Sequence, residues 1–194
     1  MPRITRESLM TLEAYHKARP EFRRKVIAHK KRRSVPLGDH VTLLFEDELT
    51  IRYQIQEMLR IEKIFEEEGI QHELESYGPL VPDGRNLKAT MLIEYEDPTV
   101  RRAALSRLKG IEQRVWLQVE GSPKVWPIAD EDMERENDEK TSAVHFLRWE
   151  LTEEMAAALK YGVTLSIGVE HANYTGTLAP VPTDTRDALA ADLA

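Results

Sequence analysis

The residues best equipped for chemistry lie in two alternating runs. His145 is in phase with Leu147, Trp149 and Leu151, and His171 continues the phase of Val163, Leu165, Ile167 and Val169. Two histidines at the ends of apolar strand faces, joined by Glu62 or Glu150, would make a two-His, one-carboxylate donor set suited to iron, zinc or manganese. Histidines in such positions also serve as hydrogen-bonded core residues. The pair meets only if the two strands run antiparallel; parallel strands would hold the rings about 20 Å apart.

Glu62 enters through the helix that carries it. At 100° per residue, Ile51, Ile55, Met58, Leu59, Ile61 and Phe65 share one broad apolar face, with Glu62 near its middle. A carboxylate buried there must be ion-paired, metal-bound or protonated, because isolated burial of its charge is costly. A structural ion pair satisfies the same position.

A second constellation could hold an anion. Arg52, Tyr53, Glu57 and Arg60 lie away from the apolar face, where a guanidinium and a phenol can grip a carboxylate or phosphate. Glu57 and Arg60, three residues apart, can also pair with each other. Lys88 with Thr90, and Lys140 with Thr141, place hydroxyls beside lysines and complete the expected ligand set.

A third is the basic stretch Arg19 to Arg33, eight Lys/Arg in fifteen residues. Phosphate neutralisation could draw it to nucleic acid, but Phe22 is its only interleaved aromatic and the rest of the chain is acidic. Residues 1–33 hold eleven Lys/Arg against three Glu, a balance of +8, and the remainder holds sixteen against thirty-one, −15. A contact with the acidic loop 130–139, within one chain or between copies, explains the same charges. Nucleic acid is therefore the weakest of the three readings.

The positioning elements follow from local pattern. A basic helical segment spans 5–33, interrupted by Pro20, and Ser34 to Asp39 reads as a turn. Val41 to Phe45 is a strand, and Glu48 to Glu68 one long helix with Gly69 as its C-cap. Strands follow at Leu87–Tyr95, Arg114–Glu120 in a hairpin with Lys124–Ala129, Val144–Leu151 and Val163–Val169. Helices start after Asp97, with Pro98 in first position, and after Thr152. With about six strands, four or five helices and no regular β-α alternation, the expected class is α+β with a largely antiparallel sheet. Residues 1–174 form the expected single domain, and 175–194 a loosely ordered tail.

Composition narrows the chemistry. The chain has 194 residues, no cysteine and a net charge of −7. Thiolate catalysis, disulfides and thiolate-ligated metals are excluded. No apolar run is long enough for a membrane span, and no apolar stretch follows the charges of the N-terminus, so a secretory signal is not expected and a cytoplasmic protein is. Dinucleotide, phosphate-loop, nucleophile-elbow and H-E-x-x-H motifs are absent.

Several strings are too particular to be compositional: Phe45-Glu46-Asp47, the run Thr50 to Glu62, Pro79-Leu80-Val81-Pro82-Asp83-Gly84, Leu87-Lys88-Ala89-Thr90, and the run Lys140 to Arg148. Through them the chain, from about Leu12 to His171, resembles an uncharacterised bacterial domain-of-unknown-function family. The family has no agreed catalytic residues to carry over. The resemblance implies a setting beside rubrerythrin-like and iron–sulfur oxidoreductase proteins, hence an accessory role in a redox or peroxide-defence system with such a protein as partner. The expectation is a homo-oligomeric accessory protein acting through protein or anion binding at Arg52, Tyr53, Glu57, Arg60, Lys88, Thr90, Lys140 and Thr141. The alternative is a metal-dependent enzyme using Glu62, His145, Glu150 and His171.

Overall fold

The computed structural model describes residues 4–194. Their strands are β1 (Ser34–Leu37), β2 (Val41–Phe45), β3 (Asn86–Ile93), β4 (Val115–Val119), β5 (Ile128–Ala129), β6 (Val144–Glu150), β7 (Leu165–His171) and β8 (Tyr174–Leu178). Their α-helices are α1 (Leu12–Lys31), α2 (Glu48–Glu62), α3 (Glu67–Tyr77), α4 (Pro98–Arg107), α5 (Glu153–Lys160) and α6 (Thr183–Ala190). The class is α+β, as expected, but the antiparallel strands divide into two sheets, ordered β1-β2-β3-β6-β5 and β4-β7-β8. None of these helices is long and apolar enough to cross a membrane.

The two sheets share one core. Period-two alternation turns Leu87, Ala89, Met91 and Ile93 of β3 inward, where they join Val115, Leu117 and Val119 of β4 and Leu165, Ile167 and Val169 of β7 in one buried cluster. Trp149 of β6 crosses between the sheets, its indole N–H donating to the Val115 carbonyl at 3.0 Å. At Gly168 a Cβ would stand 2.5 Å from the Trp116 ring, so β7 needs a residue without a side chain there. Tyr174 of β8 donates its hydroxyl to the Leu37 carbonyl at 2.6 Å and accepts from the His40 and Val41 amides. A second, smaller cluster gathers Leu9, Ile51, Ile55, Leu59 and Ile70 under the first three helices.

Local signals held where a side chain could reach the backbone beside it. Asp97 accepts from the Thr99 and Val100 amides, and Thr152 from the Met155 amide. Elsewhere the structure departs from expectation. Pro20 sits inside a continuous α1, anchored by buried Tyr15 and Val26. The expected long helix breaks after Glu62, where Lys63 takes a left-handed φ of 55° and the Ile64 amide returns to the Leu59 carbonyl. Gly69 lies in the first turns of α3 instead of capping α2. A Cβ on it would come 2.6 Å from the Ile64 side chain, so its smallness serves the corner between the helices. The 34–39 turn is β1 and the start of its hairpin, with Val35 and Leu37 fully buried. The expected 114–129 hairpin reduces to a bridge between Leu117 and Val125, because Ile128 and Ala129 pair with β6.

The C-terminal stretch also differs from expectation. Residues 175–194 form most of β8 and all of α6, and Val181, Leu189 and Leu193 are buried in the main core. Arg33 holds this end in place. Its guanidinium, buried beneath the surface, donates to the carbonyls of Phe45 (3.0 Å), Glu46 (3.2 Å) and Ala188 (3.1 Å) and pairs with the Asp192 carboxylate. Replacing Arg33 by Met should cost about 3–5 kcal/mol in urea unfolding, the scale of breaking a buried ion pair. Asp192→Asn, which keeps an acceptor for the guanidinium, should cost less.

Candidate functional site

Alternation on the outer face of the larger sheet places Lys88 and Thr90 of β3 opposite Arg148 and Phe146 of β6. Over part of this face stand α3, the turn Gly78–Leu80 and the loop that enters β6. Between them lies a cavity of about 650 Å³, within the range of small-molecule sites. Met58, Tyr77, Leu80 and Phe146 give it apolar walls, and Glu46, Glu73, Lys88 and Arg135 bring its chemistry.

Two of these groups are already engaged. Glu46, buried at the end of β2, accepts hydroxyl hydrogens from Thr50 at 2.5 Å and Thr90 at 2.7 Å. Arg135 pairs with Asp130 and Asp132 and lies over the Phe146 ring. The neighbouring Arg148 is likewise held by Glu131 and Glu150. Lys88 differs: its ammonium donates to the Pro79 carbonyl at 2.6 Å and has no carboxylate within ion-pair distance among the described residues. Burial pulls its pKa below the ordinary lysine value. Glu73 is the opposite case, a largely buried residue whose carboxyl makes no hydrogen bond or ion pair among the described residues. Burial raises its pKa, the Glu62 charge adds to the rise and His72 opposes it.

Of the eight expected ligand residues, Lys88 lines the cavity and Thr90 reaches it through Glu46. The α2 group is covered by α1. Glu57 accepts from the Tyr15 hydroxyl at 2.7 Å, from Arg19 at 2.7 and 3.0 Å, and from Arg60 at 3.3 and 3.2 Å. Tyr53 packs edge-on against Phe22 beneath the Lys30 ammonium, and Arg52 pairs with Glu48. Tyr53, Glu57 and Arg60 therefore belong to the contact between α1 and α2, and Arg52 pairs within α2. Thr141 is buried against His145, and its neighbour Lys140 lies away from the cavity. The outer side of α1 keeps Arg23, Arg24 and Lys25 exposed.

The four expected metal ligands do not converge. His145 is fully buried, with Nδ1 2.6 Å from the Asp130 carboxylate and Nε2 3.0 Å from the Ser142 carbonyl. His171 belongs to the other sheet, its Nε2 donating to the Lys109 carbonyl while Nδ1 accepts from the Asn173 amide. Glu62 is exposed at the end of α2, because the helix stops there and its apolar stripe runs out into solvent at Ile61 and Phe65. Glu150 sits at the far end of β6 from His145, about 17 Å along the strand, tied to Arg148 and Asn86. Among the described residues no three His, Asp or Glu side chains are grouped to hold a metal.

Three contributors escaped the sequence reading. Glu73 did carry a signal: with Ile70, Leu74 and Tyr77 it completes an i, i+3, i+4, i+7 set, which puts a carboxylate on an apolar stripe. Asp130 and Arg135 belong to the acidic loop 130–139, expected only as a partner of the basic segment. Asp130 takes a left-handed φ of 49°, and its carboxylate gathers His145, Arg135 and the Phe146 amide.

The family model described as "Protein of unknown function (DUF3501)" matches residues 3–193. The chain belongs to this family. Over the full length of both chains it is 60% identical to a crystal structure of a novel protein of unknown function from Burkholderia pseudomallei K96243, with a TM-score of 0.94. No curated protein matches the chain. Since the likeness spans both chains completely, β8 and α6 lie within the shared fold.

The Glu57 cluster sets a pH dependence. Hydrogen bonds from Arg19 first, then from Arg60 and Tyr15, overcome the opposing effect of burial and hold Glu57 at about 2, below its ordinary 4.5. A folded value below the unfolded one means stabilisation that is complete above about pH 4.5 and is lost as pH falls toward 2. Glu57→Gln should flatten this acid limb in urea titrations and cost on the order of 2–3 kcal/mol at neutral pH.

Proposed function

We propose that the protein binds a small organic molecule through an acidic group of that molecule. Lys88 receives the acid, and Met58, Tyr77, Leu80 and Phe146 receive the apolar body. The supporting observation is Lys88 itself, a half-buried ammonium whose partner is a neutral carbonyl. Partial burial of a cation whose direct partner is a neutral carbonyl is unfavourable, and a ligand carboxylate or phosphate would supply a direct counter-charge. The arginines nearby already have carboxylates, so Lys88 is the group left to select the ligand.

On this reading the protein is a binding component, an accessory protein rather than an electron carrier. The redox or peroxide-defence setting implied by the family resemblance is the proposed context. A rubrerythrin-like or iron–sulfur oxidoreductase protein is the proposed partner, the cytoplasm the proposed location and a homo-oligomer the proposed assembly. The metal-dependent alternative would need Glu62, His145, Glu150 and His171 at one point, and the fold distributes them over a helix end and two sheets.

Aromatic and aliphatic carboxylates should bind saturably in calorimetric titration. Lys88→Met should weaken them by about 10- to 100-fold, the worth of one charge-assisted hydrogen bond, and Lys88→Arg should recover part of the loss. Equal binding by wild type and Lys88→Met would remove the proposal.

A further inference from the structure

An acid held on Lys88 leaves Glu73 without a purpose. Glu73 as a residue is 8% exposed and lines the same cavity from α3, and its carboxyl, whose oxygens stay open to solvent, has no hydrogen-bonding or ionic partner among the described residues. It also feels the like charge of Glu62. The cavity wall further carries Glu46, whose two oxygens accept from threonine hydroxyls, and Glu75. Arg135 is committed to its own carboxylates, so the wall holds more negative than positive charge. A ligand bearing only an acid would satisfy Lys88 and deepen this imbalance. A ligand that also carries a cation would correct it. A bare metal ion is a poor candidate for that cation, because no three-carboxylate or histidine grouping exists among the described residues.

We propose that the ligand presents a protonated amine to Glu73 and its acid to Lys88, so that the cavity takes an amino-acid-like zwitterion with an apolar side chain. This rests on the acid-binding reading and extends it. The two charged groups come from different elements lining one cavity, Glu73 from α3 and Lys88 from β3, and apolar residues share that lining. Each charged end of the ligand meets the group that lacks a partner, and the side chain is removed from water against Phe146 and Leu80. Burial and the Glu62 charge raise the Glu73 pKa, and an ammonium beside it would act against both.

The test is calorimetric titration of wild type, Glu73→Gln and Lys88→Met with matched probes. These are phenylalanine and leucine, their deaminated acids hydrocinnamate and isocaproate, and the decarboxylated amines phenethylamine and isoamylamine. Circular dichroism confirms that each variant is folded. The wild-type comparison of amino acid with deaminated acid stands without any variant. Wild type should bind at least one amino acid about tenfold or more tighter than its deaminated acid. Glu73→Gln should erase that preference while leaving the deaminated acid as tightly bound, and Lys88→Met should weaken both. Equal wild-type affinity for amino acid and deaminated acid, or a preference that survives in Glu73→Gln, overturns the zwitterion and leaves the acid-binding reading in place. Binding by neither amino acid nor acid overturns both.

Discussion

Burying a guanidinium commits a fold, because five N–H donors removed from water must all find acceptors. Arg33 is 1% exposed and meets that demand with groups from distant parts of the chain: the carbonyls that end β2, the carboxylate that caps α2, and the carbonyl and carboxylate of the C-terminal helix. Residue 33 directly precedes β1, so one side chain fixes where the first hairpin, the second helix and the chain end meet. Glu46 is part of this meeting. Its carbonyl faces Arg33, its amide donates to the Lys88 carbonyl at 2.8 Å, and its carboxylate lines the cavity. The site is thus placed by the same contact that closes the molecule.

The opposition between a basic N-terminal segment and an acidic remainder is met in part inside the chain, while Arg23, Arg24 and Lys25 stay exposed. Arg19 pairs with Glu57, His29 lies 2.5 Å from Asp47, and Arg33 pairs with Asp192. The acidic partners come from the start and middle of α2, from α3, where Glu67 pairs with Arg6, and from the C-terminus, and among the described residues none from the 130–139 loop that had seemed the natural complement. That loop turns inward instead, with Asp130 serving His145 and Arg135. Charge totals by segment foretell that such pairing occurs. They are silent about which carboxylates take part, since that depends on contacts up to 159 residues apart.

What was legible in the residues was local. Helix starts at Asp97 and Thr152, the alternation of β3 and β6, and the α+β class each depend on interactions within a few positions. β1 was not legible because Pro36 and Gly38 are turn residues in isolation, and only pairing with β2 makes 34–37 a strand. The break at Lys63 had no glycine or proline to announce it. It arises because Ile64 and Ile70 both have to reach the small helical cluster. The site divides in the same way. Lys88 and Thr90 share a strand face by simple alternation, whereas the metal set assumed a pairing between β6 and β7 that belongs to strand order. Glu57 and Arg60 were placed on one helix side correctly, and what covers that side came from α1, far away in sequence.

The contact between Tyr174, Gly176 and the β1–β2 hairpin bears on how the molecule avoids sticking to itself. β1 ends one sheet and β8 the other, and a free sheet edge offers unsatisfied backbone groups to any passing strand. Here the two edges face each other so closely that a Cβ on Gly176 would stand 2.6 Å from the Leu37 backbone. Each edge shields its counterpart, and Pro36 removes one amide donor from β1 as well. At the opposite border, β5 is only two residues long, too short a template to recruit another chain.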